Sequence, residues 1–138
     1  MLGCAAEKND IPFEPVNKTE IDCDFIFADS RKTIMELNAV MIQVGTPFTP
    51  EGKPIAVIHI HGTKQVLALS KTEQKGKHTH QVFTNKDYRM ELNYDEKKQP
   101  AENVNANEPY FEGDCQLWHN GKHLKMNIYG LNSYPDMF

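Results

Sequence analysis

The sequence predicts an all-β domain, either a small antiparallel barrel or a sandwich of about eight short strands. Three observations lead there. Apolar and polar residues alternate with a period of two along several short segments. Turn-forming residues separate those segments. The last segment pair is joined by Asn120-Gly121, the strongest short hairpin signal.

The first strand is expected over 21–27, where Ile21, Cys23, Phe25 and Phe27 share one face. Asp29 to Lys32 reads as a turn. Residues 33–44 admit two readings. As a strand the segment needs a bulge, because Met35 and Leu37 fall on one face while Val40, Ile42 and Val44 fall on the other. As a helix it has Ser30 for an N-cap and Gly45 just past its end. The β-branched residues of its second half favour the strand. A breaker-rich loop spans 45–52.

Ile55 to His61 is the next strand, and Gly62 ends it. Gln65 to Leu69 is a short apolar run, followed by a polar turn over 71–77. His78–Phe83 and Tyr88–Tyr94 flank Thr84-Asn85-Lys86-Asp87 as a hairpin, with Tyr88, Met90, Leu92 and Tyr94 on one face. Residues 95–109 read as a long polar loop.

The two-residue Asn120-Gly121 turn fixes the final register. It sets His119 opposite Lys122, Trp118 opposite His123, Leu117 opposite Leu124 and Cys115 opposite Met126. Cys115, Leu117, Leu124, Met126 and Ile128 then form a core face. Asp114, Gln116, Trp118, His123, Lys125 and Asn127 form the outer one.

The chain has 138 residues, enough for one domain with a real core. Its net charge of −4 has the wrong sign for a general nucleic-acid binder. No apolar run is long enough to span a bilayer as a helix. Phosphate-binding glycine loops, serine elbows and zinc-protease motifs are absent from the sequence, so no enzyme is expected and no cofactor is implied.

Met1-Leu2-Gly3-Cys4 resembles the lipobox of bacterial lipoproteins. The resemblance implies lipidation of Cys4, a membrane anchor and an address in the bacterial cell envelope, at the outer membrane or in the periplasm. Residues 1–18 are then an anchor motif with a tether, and residues 19–138 the β domain. With Cys4 assigned to the anchor, Cys23 and Cys115 are left as a pair on apolar faces. In an oxidising compartment they can bridge, closing a long loop worth about 4–5 kcal/mol in the chain-entropy model. The alternative is two buried thiols. The layout also resembles the C-type lysozyme inhibitors of bacterial envelopes, small β-barrel lipoproteins. That resemblance implies a binding or inhibitory module, with a protein or small ligand as partner.

Two sets of side chains stand out as candidate sites. Trp118, the single tryptophan, falls on the outer face beside His123 and Gln116. It is either a recognition anchor or core under a covering element. His59-Ile60-His61 and His78-Thr79-His80 place two imidazoles on one strand face each. On neighbouring strands, His59, His61, His78 and His80 would make a zinc or copper set, the alternative function.

Overall fold

The computed structural model describes residues 11–21, 23–46, 52–98 and 109–132. The strands are β1 Cys23–Ala28, β2 Ile42–Gly45, β3 Ile55–Ile60, β4 Thr63–Lys75, β5 His78–Thr84, β6 Arg89–Lys98, β7 Pro109–His119 and β8 Lys122–Asn132. One short helix, α1 Arg31–Met35, lies between β1 and β2. Each strand pairs antiparallel with the next, and β1 pairs with β8, closing an up-and-down barrel of eight strands.

Closure takes every strand edge out of reach of other chains. It also sets the diameter. An eight-stranded barrel is just wide enough for side chains to fill, or to hold one small ligand. Here the interior is filled by Phe27, Ile42, Ile58, Leu67, Phe83, Met90, Leu92, Leu117 and Met126, all buried. Phe25, Phe27, Tyr94 and Phe111 interlock towards one end, with ring centroids 5.1–6.4 Å apart.

The β1–β8 seam depends on Gly130. It sits opposite Phe27, and a Cβ there would lie 2.4 Å from the ring and 3.1 Å from the Ile26 carbonyl oxygen. Only a residue without a side chain lets the ring lie against the β8 backbone.

A second apolar cluster lies outside the wall. Ile26, Ala28 and Tyr129 pack there against Ile34 of α1 and Val40. β1 is therefore buried on both faces. Ser30 caps the helix, its Oγ accepting from the Thr33 amide. Residues 33–44 resolve the open choice by splitting: the capped helix is real but one turn long, and the strand begins at Ile42.

Of the tether expected over residues 1–18, residues 1–10 lie outside the described residues and 11–18 are not free. From Ile11 onward the chain is docked on the barrel. Ile11 and Phe13 enter the main core, Phe13 bridges Ile60, and Val16 bridges Val40. This strap then runs over the outer face of β2 and β3. The buried amide of Gln43 holds it, accepting from the Glu20 N–H at 2.7 Å and donating to the Lys18 carbonyl at 3.2 Å. Cys4 lies outside the described residues.

The bridge between Cys23 and Cys115 does not form, and the two are not at bonding distance. The cause is a bulge in β1. Cys23 pairs with Gly45 but Phe25 pairs with Val44, so Asp24 is an extra residue. Alternation breaks there. Cys23 packs against the outer cluster, while Cys115 sits inside the barrel, fully buried. The wall stands between them. Burial pushes the Cys115 thiol up, which keeps it protonated and unreactive.

Parts of two expected loops are strand instead. β4 continues through the polar stretch to Lys75, turning only at Gly76-Lys77, and β6 continues to Lys98. The register expected for the last hairpin is the observed one, from His119–Lys122 through Cys115–Met126.

Replacing Gly130 by alanine should cost about 1–3 kcal/mol by forcing Phe27 aside. Denaturant unfolding of Gly130→Ala against the parent measures this, and an unchanged midpoint would show that the seam tolerates a side chain.

Candidate functional site

The four connections β1–β2, β3–β4, β5–β6 and β7–β8 lie at one end of the barrel, where the strap also enters. A cavity of about 450 Å³ opens there. Its floor is apolar, made by Ile60 and Leu117, both buried, with Leu124 and Pro12 beside them. Its rim is polar, made by His61, Asn120 and Lys122, all exposed.

Local sequence builds each part. His61-Gly62 and Asn120-Gly121 are two-residue hairpin turns, and all four residues have positive φ, between 52° and 75°. Such turns match the strand twist, and Asn-Gly supplies the conformation most readily. They project His61 and Asn120 to the rim. The strap fastens the first turn, since the Gly62 N–H donates to Glu14 Oε2 at 2.8 Å.

One wall is an aromatic pair. The His119 ring stacks on Tyr88 at 4.0 Å, with 9° between planes, and His61 stands 6.0 Å from His119 on the other side. His119 Nδ1 lies 3.0 Å from the Asp87 carbonyl oxygen, and the Asn120 amide lies 3.2 Å from Nε2. The first contact needs a donor at Nδ1 and the second an acceptor at Nε2. Together they select the neutral Nδ1–H tautomer. Burial, helped by the Asp87 carboxylate, pushes the Tyr88 phenol up, so it remains a donor.

At the opposite end a smaller cavity, of about 280 Å³, adjoins Gln81 and Tyr94. The Tyr94 hydroxyl donates to Gln81 Oε1 at 3.0 Å, and burial pushes this phenol up to about 12.

The four histidines of the expected metal set do not meet. β4 separates β3 from β5, and each pair points at its own partners. His59 Nε2 donates to Glu20 Oε1 at 2.5 Å. His78 faces Asp95 at 2.9 Å. His80 lies between Glu91 at 3.1 Å and Glu73 at 3.4 Å. His61 is at the cavity rim. Among the described residues no group of three or more His, Cys, Asp or Glu side chains is arranged to hold a metal ion.

Trp118 is on the outer face, as expected, but its ring faces are taken. His123 stacks on it from β8 at 4.4 Å, with 5° between planes, and the Arg89 guanidinium lies 5.1 Å from its centroid on the β6 side. Gln116 accepts from His123 Nε2 at 2.7 Å, and Glu91 holds Arg89 at 2.6 Å. The half-buried indole is the middle layer of a surface ladder rather than an open platform.

Sequence reasoning passed over most of the mouth. Tyr88 read as one more core position, and His119 entered only as the residue opposite Lys122 in the last hairpin. Lys122 and Asn120 entered only as parts of a turn. The available signal was the turn itself, since Asn120-Gly121 dictates what stands at that rim. A small closed barrel with an apolar-floored, polar-rimmed mouth is the class of molecule defined here. No family model matches the chain, and no curated protein or solved structure is found similar to it.

Removing Trp118 should cost about 1–3 kcal/mol. That lies above the usual surface substitution and below a core truncation of about 3–5 kcal/mol. Chemical unfolding of Trp118→Ala tests it, and a loss within error of zero would mean the ladder adds nothing.

A second outcome concerns acid. The hydrogen bond from His59 holds the Glu20 carboxyl below its ordinary 4.5, aided by the charges of His59 and Lys64. A carboxylate depressed in the folded state stabilises above its unfolded value and loses that contribution as pH falls through the folded one. The stability gap between the parent and Glu20→Gln should therefore shrink between about pH 5 and pH 3. A gap that stays constant across that window would show that the contact does not titrate with folding.

Proposed function

We propose that this chain is a binding module that takes a small ligand into the mouth of its barrel and does not convert it. The cavity at the turn end carries the reading. A well-formed concavity with an apolar floor and a few convergent polar groups is the ordinary form of a small-molecule site, and about 450 Å³ falls within the usual range of roughly 300–1,000 Å³. Of the side chains there that could do proton chemistry, His119 is committed to the Tyr88 ring, the Asp87 carbonyl and the Asn120 amide.

The proposal keeps the cell envelope as the setting. Met1-Leu2-Gly3-Cys4 supports it through its resemblance to a lipobox, with Cys4 as the lipidated residue. Trp118, His123 and Gln116 support a protein partner less well, because the indole faces are already covered by the chain's own side chains.

Nitrogen-15-labelled chain titrated with a mixed set of small apolar and amphipathic compounds tests the reading. Amide shifts should cluster at His61, Gly62, Tyr88, Asn120, Lys122 and Leu124. Shifts scattered over the surface, or centred on the β4–β5 hairpin, would defeat it.

A further inference from the structure

We infer that the mouth selects a small amphipathic anion, a molecule with an apolar body and one carboxylate- or sulfonate-type head. This inference rests on the mouth being the binding site and adds what the site discriminates.

Among the described residues the lining carries one formal charge, the Lys122 ammonium, and no carboxylate, although the whole chain is net negative at −4. Acidic residues do stand on the adjoining segments. Glu14 accepts from the Gly62 N–H through Oε2, and Asp87 acts on the Tyr88 phenol; neither is among the lining residues. Within the lining the charge that a ligand's head meets is the Lys122 ammonium, and that sign favours an anionic head.

The rim also offers several donors. Lys122 has three N–H groups. The His61 ring nitrogens have no hydrogen-bond partner among the described residues. Asn120 spends one amide hydrogen on His119 and keeps a second. The acceptor nitrogen of His119 is already satisfied by that amide. An anionic head needs only donors, and charge-assisted bonds are the stronger kind.

Below the rim, Ile60, Leu117, Leu124 and Pro12 offer nothing polar. Burying an apolar body there contributes roughly 25 cal/mol per Å² removed from water. A bare inorganic anion would forgo that contribution, and a hydrocarbon without a head would forgo the rim. The two halves of the mouth ask for both in one molecule.

Two fluorescent probes of nearly the same shape separate these terms. Anilinonaphthalene sulfonate and N-phenylnaphthylamine share their rings and differ by the sulfonate. Both are titrated into the folded chain, the exposed-site variant Lys122→Gln and the cavity-filling variant Leu124→Trp, with circular dichroism confirming the fold of each. The parent should bind the anionic probe about tenfold tighter than the neutral one. Lys122→Gln should remove most of that preference while leaving the neutral probe unchanged. Added salt should weaken only the anionic probe. Leu124→Trp should weaken both.

Equal binding of the two probes, lost in Leu124→Trp, would overturn the anion selectivity and leave the mouth as a binding site. Binding that survives unchanged in both variants, or no binding of either probe, would overturn the inference together with the reading it rests on.

Discussion

The ring of Phe27 lying on the bare backbone of Gly130 is the contact on which the rest of the structure depends. It stands at the seam where β1 meets β8, the one strand pair of the barrel that joins distant parts of the chain. Every other pair is a hairpin or a short connection between neighbours in sequence. Those ladders can form locally, but they make an open sheet until the seam closes. Closure gathers Phe25 and Phe27 with Tyr94 and Phe111 into one aromatic core. It also fixes the wall curvature that brings Ile60 of β3 across from Leu117 and Leu124 at the mouth.

Around that cylinder the strap has a different logic. Ile11, Phe13 and Val16 anchor it by burial, and polar atoms hold its later part. Gln43 is buried yet has both ends of its amide engaged, by the Glu20 N–H and the Lys18 carbonyl. A buried amide without those partners would be costly, so the strap and Gln43 need each other. The His59–Glu20 contact and the Glu14–Gly62 contact fasten the same segment farther along. The mouth is consequently framed on one side by strand and turn, and on the other by a segment that both apolar burial and polar contacts fasten.

Much of the fold was legible in the sequence, where local rules govern. The β7–β8 register follows residue by residue from Asn120-Gly121, because a two-residue turn leaves no freedom to slip. The inward face of β6 follows from its alternation. Legibility failed where one residue changed the count. The extra Asp24 turned Cys23 outward, and a pairing that looked geometrically sound was lost. The tether was misjudged because Ile11 and Phe13 have no strand around them to announce their burial. The mouth was the least legible part. Its floor and walls come from residues far apart in sequence, joined only by closure, and periodicity marks Ile60, Tyr88 and Leu117 simply as core.

The strap's point of entry sets an orientation. Ile11 is in the core and Pro12 lines the cavity, so the chain reaches the barrel at its open mouth rather than at the far end. Seven residues lead from Cys4 to Ile11, a contour of at most about 25 Å. Anything that holds Cys4 therefore holds the mouth within that radius.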